Sequence, residues 1–599
     1  MPTASEWLEE VVAAERRGEL LTAFDLAERG LAEHPADVAL RHRAVLELAR
    51  AGSTEQARAR FDEYRLGAVD DEDTRSLEAR IAKDVALAAD GDERQSLALR
   101  SAALYEAVFT DTGGYYPGVN AATLRLAAGD RAGSERLARA VLDVLRGSRE
   151  VGYYPCATEA EAQLLLGAVE PAAAALERAA AAHEDDFGAV STTRRQLRLV
   201  CELRGIDPSV LAPLAGPRVV HYCGHRAVPG PYDEEAVAAA VATEVARSRP
   251  AYAYGSLASG ADILWAEALL AAGCDLHVAL PFASEEFVET SVADAGPGWV
   301  GRFEACLEAA ADVSHTTDGP FLGDDVLYRY CSEFSMGLAL LRARFLDADV
   351  IQLAVWDGAA ARGVAGTAVD VATWGSHGLT SHVVSPDGRP TGRRPAPPAP
   401  AGDGSGRVVR ALLFGDVKGF SRLDDEQLPR FAEHVLGALA RVLAARGADV
   451  LFRNTWGDGI YVVLSDAVAA AACALELQVA MRTVDLEAHG LPADLDLRLG
   501  GHVGPVLPVD DPVLGVRAFM GSHVSRTARV EPVTPPGVVY VTEAFAAALE
   551  LSESGHVADY VGHMPAAKDF GRLRMYRLAE RRGGGRPPRR LSPRRPSDR

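Results

Sequence analysis

Two aspartates in the last third of the chain have surroundings suited to binding metal ions. Asp416 closes the apolar run in RALLFGDVKGFSRL, which predicts a strand that ends at Asp416, then a glycine turn and a helix beginning near Ser421. Asp458 stands in DVLFRNTWGDGIYVVL, whose alternating apolar and polar residues predict a β-hairpin with Asp458 at its tip. A carboxylate at a strand end beside free helix amides can hold a metal ion against a triphosphate.

The spacing of the two aspartates allows their carboxylates to meet. Asp458 follows Asp416 by 42 positions, which leaves room for one helix of about four to five turns between the strand and the hairpin. The segment LPRFAEHVLGALARVLAARG has the apolar periodicity of that helix. Because aspartate also suits ordinary turns and helix starts, the assignment depends on the motifs that surround both positions.

Three motifs occur in this part of the chain in the order that one enzyme family shows. They are F-x-D-x-x-G-F-S at 414–421, T-x-G-D at 455–458 and RLGGHVGPV at 498–506. This combination resembles the class III adenylate and guanylate cyclases. The resemblance implies an α+β, ferredoxin-like catalytic domain over 407–580, which converts a nucleoside triphosphate into a 3′,5′-cyclic nucleotide and pyrophosphate.

The resemblance also implies catalytic roles for single residues. Asp416 and Asp458 would hold two Mg²⁺ or Mn²⁺ ions, one activating the ribose 3′-hydroxyl and one neutralising the β- and γ-phosphates of the leaving pyrophosphate. Arg529 would stabilise the charge that grows on the α-phosphate. Ser525 replaces the asparagine that the family uses in the transition state. A serine still donates a hydrogen bond but reaches less far, which predicts lower turnover.

Five further positions are implied as substrate contacts. Gly419 and Phe420 form the turn after the first motif, and Lys568 in AAKDFGRLRMYRL matches a late lysine that contacts the phosphates. Asn454 and Ala518 occupy the two positions that select the base in the family. Neither residue fits the adenylate or the guanylate pattern, so the base stays open among adenine, guanine and a pyrimidine.

The same resemblance implies a homodimer and leaves two functions open. In the family the site forms between two domains packed head to tail, with the aspartates from one and the arginine from the other. Turnover regulated by the preceding regions, in intracellular signalling, is the first function. The second is a catalytically degenerate cyclase fold that binds nucleotide or partners without turnover, as the residues at 454, 518 and 525 suggest.

Composition disfavours several other classes of protein. The 599 residues predict about three to four domains. A net charge of -22 repels polyanions, so we expect no nucleic-acid partner. The seven cysteines include no C-x-x-C pair, which disfavours a zinc site and a disulfide framework and fits a reducing cytosol. With no signal-peptide pattern and no membrane-length apolar run, we expect a cytoplasmic protein.

Before the cyclase-like part, the first region, 1–210, has the composition of an all-α fold. Alanine, leucine, glutamate and arginine dominate, and apolar residues recur at three and four positions, which predicts stacked helices. Small residues such as Ala23, Ala27 and Ala57 stand where two helices must touch, and His34-Pro35 ends one helical hairpin. This pattern resembles tetratricopeptide repeats.

A second resemblance in the helical region concerns its function. The stretch YEAVFTDTGGYYPGVNAATLRLAAGD, residues 105–130, resembles the helical region known as the TRAF-binding domain in stress-kinase-like proteins. A helical solenoid of this kind can bind a protein partner or sense a ligand. It can equally be a scaffold that holds its neighbours, and the residues favour neither function over the other.

Strands and helices alternate over 217–385, which predicts a doubly wound parallel sheet. Gly-Ser at 255–256 and Gly-Ala-Asp at 260–262 resemble the Rossmann-like superfamily of DNA-processing protein A and the LOG enzymes, where glycines let backbone amides approach a nucleotide or phosphate. The resemblance implies a ligand site formed by Gly255, Ser256, Gly260, Asp262, Gly366 and Thr367. Glycines that only close tight turns are the alternative. Glu267 is either a catalytic acid of a LOG-like hydrolase or a surface charge.

Two segments are too polar and too rich in proline to bury a core. Residues 386–406, PDGRPTGRRPAPPAPAGDGSG, predict a linker between the middle region and the cyclase-like region. Residues 581–599 carry eight arginines against one aspartate in a proline- and glycine-rich run, which predicts a solvated, disordered tail.

Overall fold

The structure, a computed structural model, describes residues 2–183, 186–227, 233–361, 363–389, 406–552, 554–567 and 571–581. Most of the predicted linker and nearly all of the predicted tail lie outside these residues, and so does Lys568. Along the chain the described elements form a helical region, a parallel-sheet region and a mixed-sheet region.

The described residues up to 204 form only helices. These are α1 (Ala4–Arg16), α2 (Leu20–Glu33), α3 (Val38–Arg50), α4 (Thr54–Glu63), α5 (Glu72–Ala88), α6 (Gly91–Thr112), α7 (Tyr115–Ala127), α8 (Arg131–Gly147), α9 (Tyr153–Leu166), α10 (Val169–Ala182) and α11 (Phe187–Arg204). Side chains such as Asp37 and Asp71 cap helix starts by accepting backbone N–H groups. Ala23, Ala27 and Ala57 are fully buried, so the predicted helix contacts at small residues are confirmed.

Six parallel strands form the middle sheet, in the order β4-β3-β2-β1-β5-β6. The strands are β1 (Arg218–Gly224), β2 (Pro250–Gly255), β3 (Asp275–Leu280), β4 (Asp312–His315), β5 (Asp349–Val355) and β6 (Ser381–Val384). The helices are α12 (Glu234–Ser248), α13 (Ala261–Ala271), α14 (Ser284–Ser291), α15 (Pro297–Ala309), α16 (Val326–Leu346) and α17 (Thr367–Ser376).

Helices cover both faces of this sheet. Successive strand residues point to opposite faces. Val219 packs with Ala343 of α16, whereas its neighbour Val220 packs with Val241 of α12. The sequence pattern did not reveal β4 or the helices α14 to α16. The kinship to DNA-processing protein A and the LOG enzymes stays a prediction.

The C-terminal region is built on a sheet in the order β13-β14-β12-β10-β7-β9-β8, with β11 paired to β10. The strands are β7 (Val408–Lys418), β8 (Val450–Trp456), β9 (Gly459–Leu464), β10 (Asp496–Asp511), β11 (Val516–Met520), β12 (Val539–Thr542), β13 (His556–Pro565) and β14 (Arg572–Glu580). The helices are α18 (Gln427–Arg430), α19 (Gly437–Ala445), α20 (Ala467–Thr483), α21 (Ser522–Val530) and α22 (Glu543–Leu551).

Local predictions in this region are partly confirmed. Trp456 pairs with Gly459, so the predicted hairpin with Asp458 in its turn is confirmed. The predicted strand end at Asp416 is wrong, because β10 pairs with β7 as far as Lys418. The helix expected near Ser421 is only a 3₁₀ turn, and the long helix after it is interrupted by a π-helical segment, Phe431–Leu436.

Helix α16 joins the three regions. One side packs on the middle sheet, and Gly337 on another side approaches the backbone of Ala547 in α22. The carbonyl of Phe345, near its end, accepts hydrogen bonds from Ser191 and Arg195 of α11. Helix α16 is therefore one of the elements that position the C-terminal region. Strand β13 also contacts α2, where Asp25 accepts hydrogen bonds from the Tyr560 hydroxyl and the His563 N–H.

Candidate active site

The two predicted metal ligands converge at one end of the C-terminal sheet. Strand β7 lies between β10 and β9, and Gly415, next to Asp416, pairs with Ile460 just after the hairpin turn. Gly457, with φ of +69°, adopts the left-handed conformation that this tight turn requires. Partial burial raises the pKa of the Asp458 carboxyl. A hydrogen bond to the Asp416 carboxyl and the charge of that carboxyl raise it further. The two groups therefore lie within hydrogen-bonding reach.

An arginine and a glutamate complete this cluster. Arg498 stands directly opposite Asp416 in the β7–β10 register, and its guanidinium donates a hydrogen bond to the Asp416 carboxylate. The Nε atom of Arg498 lies 3.2 Å from the Glu531 carboxylate. Burial raises the pKa of Glu531 to about 7, and the charges of Asp416 and Asp458 act in the same direction. Three carboxyl groups thus surround one guanidinium.

The paired aspartates fit a divalent cation. Carboxylate oxygens are the ligands that Mg²⁺ prefers, and proteins commonly bind this ion through one or two carboxylates together with substrate phosphates. The repulsion that raises the pKa of Asp458 is relieved when a cation sits between the carboxylates. Within the described ranges no group of three or more His, Cys, Asp and Glu side chains forms a cage for a metal. The remaining ligands would come from substrate and water.

The two implied catalytic residues lie together on α21. Ser525 is exposed and Arg529 half-buried, and their four-residue spacing puts both on one side of the helix. Thr527 and Val530 face the core on the other side. Among the described residues the Arg529 side chain makes no ion pair, which leaves its charge available for a substrate.

The buried side of α21 is held by a histidine network. His502 hydrogen bonds through one ring nitrogen to Thr542 and through the other to His523, both at 2.7 Å. Desolvation lowers the pKa of both histidines, so both are neutral near pH 7. The ring of Tyr330, from α16, contacts His523 edge-on, and its hydroxyl donates to the carbonyl of Val503 at 2.8 Å. The middle region thus contacts the helix of Ser525 and Arg529.

The other implied substrate residues occupy distinct places. Gly419, with φ of +94°, forms the turn after β7, and Phe420 packs on Phe431 in the π-helical segment. Asn454 lies in β8, with its side-chain oxygen accepting the N–H of Thr455. Ala518 is buried in β11 within a small apolar cluster. None of these contacts distinguishes one base from another.

The residues implied in a middle-region ligand site form two groups at the carboxyl edge of the parallel sheet. Gly255, Ser256, Gly260 and Asp262 follow β2, while Gly366 and Thr367 begin α17. A Cβ at Gly255 would lie 2.6 Å from the Tyr222 ring, and one at Gly260 would lie 2.8 Å from the backbone of Arg226. Close packing therefore accounts for these two glycines without a ligand.

Polar groups at the same edge are incompletely satisfied. One carboxylate oxygen of Asp262 accepts the Ala258 N–H at 3.3 Å, whereas the other, like the Ser256 hydroxyl, is buried without a partner among the described residues. Burial raises the pKa of Asp262 and of nearby Asp370 to about 7. Two carboxyl groups at this edge of the sheet disfavour phosphate binding, because their ionised forms repel an anion.

Glu267 has a structural partner. Arg302 donates hydrogen bonds to both of its carboxylate oxygens, at 2.7 and 2.6 Å, and a third to Glu234. Both oxygens of this carboxylate are thus engaged by one arginine, which leaves neither of them directed at a substrate. This geometry favours the surface-charge interpretation over the hydrolase interpretation.

Comparisons with known proteins find relatives for the helical region and for a cyclase-like region. A family model described as "Tetratricopeptide Repeats-Sensor" matches residues 19–125. A protein of Rhizobium meliloti (strain 1021) named "Putative adenylate cyclase 3" is 32% identical over 147 residues. That match covers 23% of this chain and 22% of the relative, so the chain spans only about a fifth of the relative's length.

Solved cyclase structures also match. The guanylyl cyclase Cya2 is 22% identical, with a TM-score of 0.26, and covers 29% of this chain and 94% of its own. The adenylyl cyclase CyaB from P. aeruginosa is 18% identical, with a TM-score of 0.27, and covers 30% and 98%. No helix in the described residues is both long and apolar enough to cross a membrane. The chain joins an N-terminal tetratricopeptide-like helical region to a cyclase-like C-terminal region.

Proposed function

We propose that the C-terminal region is a class III nucleotidyl cyclase, which forms a 3′,5′-cyclic nucleotide and pyrophosphate from a nucleoside triphosphate. The convergence of Asp416 and Asp458 carries the proposal, because two interacting carboxylates at a strand end and a hairpin turn suit a metal-bound triphosphate. The similarity to a protein named as an adenylate cyclase supports the same class of reaction.

The residues of this chain supply position and charge. Asp416 and Asp458 hold the cations, and two Mg²⁺ or Mn²⁺ ions, when bound, activate the ribose 3′-hydroxyl and neutralise the leaving pyrophosphate. Arg529 stabilises charge on the α-phosphate. Ser525 donates a hydrogen bond to the same group, and Gly419 and Phe420 shape the turn beneath the phosphates.

A homodimer completes this site. Exposed apolar side chains lie at the β8–β9 turn, next to Asp458, and on the β10–β11 hairpin; they are Trp456, Val513, Leu514, Val516 and Met520. Val513 is 90% exposed, and exposed apolar side chains in such number are typical of a protein interface. In the proposed dimer this surface covers a second copy, and each copy supplies Arg529 and Ser525 to the aspartates of the other.

The preceding regions regulate the dimer through α16 and α21. Asp318, just after β4, pairs with Arg526 of α21, and Tyr330 of α16 contacts His523 of the same helix. A partner or ligand that shifts the middle sheet therefore moves the helix that carries Arg529. The helical region is the proposed site of a protein partner, and the polar edge around Asp262 the proposed site of a small ligand.

All seven cysteines are free, and six are buried, which suits the reducing cytosol that we propose for this enzyme.

The function is tested by incubating the purified full chain with each of the four ribonucleoside triphosphates and Mn²⁺. We expect cyclic product and pyrophosphate from at least one of them, detected by mass spectrometry. Nucleotide binding without product would favour the second function, a cyclase fold that acts as a signalling scaffold, which the unusual residues Ser525, Asn454 and Ala518 support.

Lengthening the side chain at position 525 is expected to raise turnover. Ser525 is exposed on α21, so an asparagine fits without displacing its neighbours. In Ser525→Asn the amide reaches further toward the α-phosphate, and we expect kcat to rise about tenfold, the effect of one added charge-assisted hydrogen bond. Steady-state kinetics with the preferred triphosphate measure kcat for Ser525→Asn and for the wild type. The exposed neighbour Ser522 provides the control variant Ser522→Asn, and an equal gain there would contradict the role of position 525.

Loosening the contact between α16 and α21 is expected to reduce turnover without changing metal affinity. Tyr330→Phe leaves the buried carbonyl of Val503 without its donor, at a cost of about 1 kcal/mol. We expect faster hydrogen exchange at the amides of α21 and a kcat about fivefold lower.

The matched control for this prediction lies on the same helix. Tyr328 hydrogen bonds to Thr290 and Ser291 inside the middle region, away from α21. Tyr328→Phe therefore removes an equivalent hydroxyl and should leave exchange in α21 unchanged. Equal exchange in both variants would mean that Tyr330 does not couple the two regions.

A further inference from the structure

The guanidinium of Arg498 lies where it must compete with any cation for Asp416. It donates to one carboxylate oxygen of Asp416, and its Nε atom is 3.2 Å from Glu531. Partial burial alone would lower the pKa of Arg498. The hydrogen bond to Asp416 and the charges of Glu531 and Asp458 outweigh burial, so the pKa is raised. One guanidinium therefore lies among three carboxyl groups, with a hydrogen bond to Asp416 and an ion-pair distance to Glu531.

The fold holds both partners of Arg498 in place. Asp416 faces it across the β7–β10 ladder, where the backbones are directly paired. Glu531 follows α21, and its backbone lies against Gly500 of β10, where a Cβ would come within 2.5 Å of the Glu531 nitrogen. Only glycine permits that approach. Glu531 is therefore kept beside Arg498, two residues along the same strand.

The two partners differ in what else they must bind. The Arg498 guanidinium occupies part of the acceptor capacity of Asp416, and its positive charge repels a divalent ion that approaches the same carboxylate. Glu531, with a side chain only 15% exposed, lies deeper than Asp416, whose side chain is 26% exposed. The deeper carboxylate is therefore the permanent partner, and the more exposed one can exchange guanidinium for metal.

We propose that Arg498 is a positioning residue that neutralises Asp416 in the metal-free protein and transfers fully to Glu531 when a divalent ion binds. This inference rests on the proposed function only for the identity of the metal ligands. It predicts that the wild-type site binds metal more weakly than its two aspartates alone would allow. Arg498 thereby prevents two unpaired carboxylates from facing each other when no ion is bound.

The test is Mn²⁺ binding to the full chain without nucleotide, followed by electron paramagnetic resonance of the free ion. In Arg498→Gln the competing charge is absent, so we expect the Kd for Mn²⁺ to fall at least about threefold. In Glu531→Gln, Arg498 keeps Asp416 as its only charged partner, so the Kd should rise by a similar factor. Arg446→Gln, which breaks an arginine–glutamate pair with Glu476 on α19 and α20, should change nothing.

The direction in which the Kd for Mn²⁺ changes in Arg498→Gln separates this role of Arg498 from a purely structural one. If Arg498 only joins β7 to β10, its loss disturbs Asp416 and weakens Mn²⁺ binding, which would overturn the proposal. Failure of wild type and Arg498→Gln alike to bind Mn²⁺ up to millimolar concentrations would also overturn it. Thermal unfolding of each variant shows whether it is folded. The two proposals can fail separately. If the protein forms no cyclic product but Arg498→Gln binds Mn²⁺ more tightly than wild type, the proposed cyclase activity is refuted, and the proposed movement of Arg498 from Asp416 to Glu531 is still supported.

Discussion

Alanine at Asp416 or at Asp458 is expected to abolish formation of cyclic nucleotide. Each variant removes one of the two carboxylates that we propose as metal ligands, and the described residues offer no cage of three or more metal-binding side chains to replace it. We expect kcat to fall by at least about a thousandfold, equivalent to about 4 kcal/mol of transition-state stabilisation. Product formation by mass spectrometry, with Mn²⁺ and the preferred triphosphate, measures the loss.

Two controls sharpen this result. Asp425 is an exposed aspartate of the same region, and Asp425→Ala should retain wild-type turnover. Asp416→Ala should also keep a folded protein, because it removes the neighbouring charge that raises the pKa of Asp458. Substantial product from either metal-ligand variant would show that the paired aspartates are not the catalytic centre.

Alanine at Gly337 is expected to lower stability, although alanine normally favours a helix. The new Cβ would lie well inside van der Waals contact with the Ala547 carbonyl and 2.7 Å from the Ala547 Cβ, where α16 meets α22. Overpacking of this kind costs about 1–3 kcal/mol, more than the gain in helix propensity. We expect a lower midpoint of thermal unfolding and a loosened contact between the middle and C-terminal regions.

Gly437, also in a helix, provides the opposite case. Its nearest atoms to a new Cβ are 3.7 and 3.8 Å away, which is ordinary contact. Gly437→Ala should therefore keep or raise the unfolding midpoint, by up to about 1 kcal/mol in stability. If both variants behave alike, the close approach of α16 and α22 does not control the interface.

Local patterns in the sequence predicted the parts of the site that depend on local geometry. The hairpin around Asp458 follows from alternating residues and a glycine turn, and the structure confirms it. The end of β7 was predicted at Asp416, two residues early, because a glycine turn was expected after it, whereas pairing with β10 continues to Lys418. Ladder hydrogen bonds from a distant strand decide such boundaries, and a local pattern does not contain them.

Other features had no signal in the sequence. Glu531 and Tyr330 carry no motif, yet one pairs with Arg498 and the other contacts the helix of Ser525 and Arg529. The long α16 was missed because it touches sheet on one side and helices on others, so its apolar residues show no simple stripe. Asp262 was predicted from the sequence only as part of a ligand site implied by a resemblance. Its burial, which raises its pKa to about 7, depends on the fold.

Sequence patterns were sufficient to predict the helical character of the first region, the hairpin around Asp458 and the resemblance of the last region to cyclases. These follow from periodicity, turn residues and motifs, which act over a few neighbouring positions. Three other features became visible only in the folded chain: Asp416 and Asp458 interact, Arg498 lies between Asp416 and Glu531, and α16 contacts all three regions. Those facts depend on strand register and on helix packing between residues far apart in the chain, which no local pattern specifies.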